Sequence, residues 1–197
     1  MELPADLQVA QRVIQQAVWD TAAARVLQES KDTAGLRRLR EPFAARLDSV
    51  RPYLAEGFAS PDSSIRDSTE ALALQGGVKL AQAGAYVEAY QWLDQLLNQL
   101  GPPPAAGLGP HGSMRIAASF WFGLSSALTL GPIYQNMVHG KHCDEAKTVN
   151  ERIQRGLEAI SLGSLVSPAL ASRMQGILVQ YSAQMLNVKR AFKCTNF

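Results

Sequence analysis

No run in this 197-residue chain alternates apolar and polar residues over six or more positions, so the sequence gives no basis for a β-strand. Catalytic signatures are equally scarce. There is no HExxH, no Walker loop, no CxxC pair, no nucleophile elbow and no compact carboxylate pair. Charge is missing over a long interval, since between Asp94 and Lys141 the only charged residue is Arg115. The N-terminal "MELPADLQVAQ" lacks the basic and apolar regions of a signal peptide. That leaves a cytoplasmic chain, or a mature exported chain (periplasmic or secreted) from which the signal has been removed.

What is present is apolar and helical. With 47% hydrophobic residues the chain has material for a sizeable core. The net charge is only +2, and the last third carries most of the basic excess, nine basic against four acidic residues from His111 onward. Nucleic acid is not expected as a partner, because it demands a denser basic stripe. Ile116 to Val138 is uncharged and long enough for a membrane span of about 20 residues. Ser119, Ser125, Ser126, Thr129, Gln135, Asn136 and the Gly131-Pro132 pair weigh against one, and a helix enclosed by other helices fits better.

Periodicity predicts an all-α protein of about six or seven helices. A first helix spans Pro4 to about Glu29. A second row, Leu36 to Leu54, contains Pro42 and Pro52 and so forms a kinked helix or two collinear ones. Ser60 and Pro61 are placed as N-cap and first residue of the next helix, and Ser167 and Pro168 mark the last one in the same way. Further helices run from Ala85 to about Leu100, from about Ser113, and from about Cys143 to Ile160. The Pro- and Gly-rich "GPPPAAGLGPHG" between the first two of these is a connector. Its "GLGPHG" is formally GxGxxG, but no strand precedes it, which removes the dinucleotide reading.

In "GGVKLAQAGAYVEAYQWLDQLL", Gly77, Gly84, Tyr86 and Ala89 resemble the small residue, turn glycine, turn aromatic and second-helix alanine of a tetratricopeptide repeat over about residues 70–103. Ala73 departs from that pattern where the family has a large aromatic. Gly123, Gly140, His142 and Ala146 resemble a second, stretched unit. The resemblance implies a tetratricopeptide-like solenoid or bundle, with residues 1–58 as an N-terminal helical arm and 59–197 as the repeat body, or one continuous domain. It also implies a non-enzymatic scaffold for a protein or peptide, with no cofactor. Carried over residue by residue, the family's concave positions fall on Leu74, Val78 and Gln82. Trp121 or Phe122, Gln135 and Asn136 then line the same largely uncharged groove, with Arg115 as one of its few cations, and a hydrophobic peptide suits it.

One cluster competes with that reading. His139, His142, Cys143 and Asp144 could offer ligands to zinc or copper, or a thiol at a helix N-terminus. A structural metal site normally draws a second ligand pair from a distant segment, and only His111 and Cys194 remain to supply it. Cys194 lies four residues from the C-terminal end and fits better as a disulfide partner of Cys143, stapling the tail and favouring an exported protein.

Overall fold

The computed structural model describes residues 3–103, 107, 109–140 and 143–194. Among the described residues it is all-α, with nine helices and no strand. The chain divides into two compact units, Met1–Pro103 and Pro104–Phe197. The division therefore falls in the Pro-rich connector and not at residue 58, because helices on both sides of residue 58 pack on each other.

In the first unit, α1 (Ala5–Gln16), α2 (Thr21–Glu29), α3 (Thr33–Asp48), α4 (Arg51–Phe58), α5 (Ser63–Gln82) and α6 (Tyr86–Leu100) surround a core of Leu7, Ile14, Leu47, Leu54, Leu80, Trp92, Leu93 and Leu96. The expected first helix is two, because the Asp20 carboxylate accepts from the Ala23 amide at 2.8 Å and starts a new helix. Asp32 caps α3 through Gly35 N at 2.7 Å. Asp62, not Ser60, caps α5 through Ser64 N at 2.8 Å. Pro42 is accommodated inside α3, whereas Ser49 and Val50 separate α3 from α4 and Pro52 sits in the first turn of α4. These two breaks account for most of the excess over the six or seven helices expected.

The α5–α6 hairpin is tight. A Cβ on Gly76 would lie 2.0 Å from Cζ3 of Trp92, and one on Gly77 would lie 2.8 Å from Leu93. Gly84 makes the turn at φ +76°, a conformation that costs glycine little and a side-chain residue more. Ala89 is fully buried. Lys79 crosses to α1 and donates to the carbonyls of Ile14 (2.7 Å) and Ala17 (2.8 Å), satisfying groups that a helix end leaves open. Burial holds this ammonium below its usual value of 10.5.

The second unit is three helices, α7 (Gly112–Gly140), α8 (Cys143–Gly163) and α9 (Pro168–Phe192), each packed on the other two. The Gly131-Pro132 pair does not interrupt α7. By length and composition α7 could cross a membrane, but most of its apolar segment is buried. Small residues bring α7 and α8 together. A Cβ on Gly163 would fall 2.5 Å from the Phe120 Cα, and one on Gly123 would fall 2.9 Å from the Ile160 side chain. Inside α7, Thr129 Oγ1 donates to Ser125 O at 2.7 Å and accepts from Arg152 Nη2 of α8. A disulfide joins Cys143 at the start of α8 to Cys194 just past α9, with Cα atoms 5.6 Å apart.

Candidate binding groove

Helices α4 and α6 both pack on α5 and leave an open groove of about 660 Å³ between them. Arg51, Pro52 and Ala55 form one wall; Tyr90, Gln91, Asp94, Gln95, Asn98 and Gln99 form the other. The sequence of α6 explains its wall. In "YQWLDQLLNQL", Trp92, Leu93 and Leu96 enter the core, which leaves the intervening amide residues on the opposite face.

Asp48 sets the groove's cation in place. Its Oδ1 accepts from Trp92 Nε1 at 3.2 Å and from Arg51 Nε at 2.8 Å, tying the end of α3 and the start of α4 to α6. The Arg51 guanidinium is engaged through Nε and remains part-exposed at the groove wall. Opposite it, Asn98 Nδ2 donates to Asp94 Oδ2 at 3.3 Å. The groove is thus rich in carboxamides that both donate and accept, with one cation and one carboxylate.

Carboxamides four residues apart on a helix rise about 6 Å. Gln91, Gln95 and Gln99 have that spacing. An extended peptide repeats its face every two residues, about 6.6 Å. A row of glutamines on α6 therefore matches the step at which an extended backbone presents its N–H and C=O groups to one side. The signal was legible as three glutamines four apart, but nothing in the sequence showed that α4 would leave a gap beside them.

The residues expected to bind a partner fall in both units. On α5, Leu74 and Val78 are half-buried and Gln82 is exposed. On α7, Trp121 is half-buried and Gln135 and Asn136 are exposed. Phe122 is only 1% exposed, with the Arg155 guanidinium 5.4 Å above its ring, so of the alternatives Trp121 and Phe122 only Trp121 reaches the surface. Arg115 is also buried, which removes it as an open cation. Lys79 is held by the α1 carbonyls.

In the competing cluster, Cys143 is bonded to Cys194, so it offers no thiolate to a metal or substrate while that bond stands. His139 Nδ1 is 2.7 Å from the Gln135 carbonyl of its own helix. His142 lies outside the described residues. No protein-family model, no curated protein and no solved structure matches this chain, and its functional reading therefore rests on the groove and on the helices that shape it.

Proposed function

We propose that the chain is a non-enzymatic scaffold that holds a segment of a partner protein as an extended peptide in the groove between α4 and α6. The match between the glutamine spacing on α6 and the two-residue repeat of an extended backbone carries this reading. The carboxamides hydrogen-bond the peptide's main chain, Arg51 meets an acceptor on it, and Pro52 and Ala55 give an apolar wall. The close α5–α6 hairpin, with Gly77 at its seam, Gly84 in its turn and Ala89 buried, supports a tetratricopeptide-like scaffold. The disulfide supports an exported setting, because such bonds persist in oxidising compartments.

The test compares two faces of one unit. Capture of partners from native extract is measured for Gln91→Glu/Gln95→Glu and for Val78→Glu/Gln82→Glu, with melting temperature as a control. The groove reading expects the first pair to lose the captured protein while the second keeps it, with little change in melting for either. Capture that survives in the first pair and is lost in the second moves the site to α5 and ends the groove assignment.

A further inference from the structure

Helix α9 is apolar on two faces, and the core uses only one. Ala171, Met174, Leu178, Met185 and Val188 are buried against α7 and α8. On the other side Ala169, Ser172, Gly176, Val179, Ala183 and Leu186 are exposed, Val179 by 51% and Leu186 by 61%. These positions advance by three and four residues alternately, the step of a helix-to-helix seam. Leu165 and Val166, exposed by 68% and 49%, extend the apolar surface just before α9 begins.

The charged side chains of α9 itself are of one sign. No Asp or Glu occurs between Glu158 and Phe197, and that segment carries Arg173, Lys189, Arg190 and Lys193. Arg173 and Arg190 are exposed near the two ends of the face. We propose that the outer face of α9 docks an acidic amphipathic helix of a partner protein. An apolar stripe on that helix packs along Val179 and Leu186, and its flanking carboxylates meet Arg173 and Arg190.

The centre of the face favours a helix over other occupants. A Cβ on Gly176 would meet nothing within 4 Å, and Ser172 and Ala183 are small, so a second helix backbone can approach closely. A membrane surface gains little from such a centre, since binding there scales with large apolar side chains, and here only Val179 and Leu186 are large within the helix. A second copy of α9 lying antiparallel would bring Arg173 to Arg190, which is repulsive.

The test is fluorescence anisotropy of the full chain with a designed helical peptide of about 22 residues, the length of the face. The peptide carries leucine and alanine along its seam and glutamate elsewhere. The expected result is saturable binding that weakens as salt rises and falls about tenfold in Arg173→Glu/Arg190→Glu. Gly176→Leu, which fills the space a helix would enter, is expected to weaken binding to a similar degree while raising the melting temperature. Failure of the glutamate peptide to bind overturns the proposal, as does equal binding of the same peptide with lysine for glutamate. Binding to phosphatidylcholine–phosphatidylserine vesicles in place of the peptide assigns the face to lipid and also overturns it, and so does concentration-dependent self-association that Gly176→Leu abolishes. Gln91→Glu/Gln95→Glu leaves this binding unchanged, which keeps the result separate from that for the α4–α6 groove.

Discussion

The two units reach helix-on-helix packing by different routes. Residues 3–103 use six helices of 8 to 20 residues, three of them started by aspartate caps and one closed by a lysine that crosses from another helix. Residues 109–194 use three helices of 21 to 29 residues, packed through glycines and closed by one disulfide. Short helices must have their ends satisfied often, because each end leaves open amides or carbonyls. Long helices have fewer ends and depend more on the seam between them. Glycines allow close approach in both units; the first adds side-chain caps at its many helix ends, and the second adds a covalent tie.

Removing the covalent tie has the largest expected effect. Cys143→Ser/Cys194→Ser opens a loop with a sequence separation of 51. By loop entropy it is expected to cost the second unit about 4 kcal/mol. Amide exchange should show the loss in α7, α8 and α9, with α1 to α6 unchanged.

Each unit's packing glycines come next. Gly163→Val drives a side chain into the Phe120 backbone, and Gly76→Val drives one into the Trp92 ring. Each should cost about 3 kcal/mol, confined to its own unit, as read by denaturant unfolding followed by amide exchange. A smaller contrast lies within the second unit. Gly156→Ala meets Ser126 Oγ at 2.8 Å and Leu178 Cδ2 at 3.2 Å, whereas Gly176→Ala meets nothing. The first should destabilise by about 1 kcal/mol and the second should stabilise by about the same, from helix propensity.

The smallest effect has opposite signs in the two units. Lys79 is lowered from 10.5 by burial, so the folded state disfavours its charged form. Its contribution is present above that value and is lost as pH falls through the folded value. The carbonyls of Ile14 and Ala17 favour the ammonium and keep the effect small. Tyr134 is raised from 10.0, first by burial and then by Tyr181, whose ring centre is 5.2 Å away. Its contribution is present below 10.0 and is lost as pH rises through the folded value. Both groups are half-buried with solvent still in reach, so each effect is small. Across the alkaline range Lys79→Met should remove the gain in the first unit and Tyr134→Phe the loss in the second, measured by exchange at matched temperatures.

The disulfide was legible because only two cysteines exist and one lies close to the tail. Most helix boundaries were legible from Pro, Gly and the apolar rows. Asp20 was missed as a cap because Val18 and Ala17 continue the apolar row of the first helix toward it. Asp62 displaced Ser60 because its carboxylate reaches the Ser64 amide, while Ser60 Oγ accepts from Asp62 N at 3.2 Å. Of the residues expected to line a groove, Phe122 and Arg115 proved buried. A nearly uncharged helix offers no polar face from which to read its inner side.

Local sequence rules set the helical class, most helix starts and stops, and the pair of cysteines that could meet. These follow from local rules: capping oxygens, fixed proline φ and the 3.6-residue repeat act within a few residues. Tertiary structure decided that α7 would run through Gly131-Pro132, that Trp121 and not Phe122 would reach the surface, and that Gln91, Gln95 and Gln99 would border a gap. Each depends on a second helix far away in sequence. Packing against α8 and α9 keeps α7 helical despite a missing amide, and the separation of α4 from α6 on α5 turns a polar helix face into one wall of a groove.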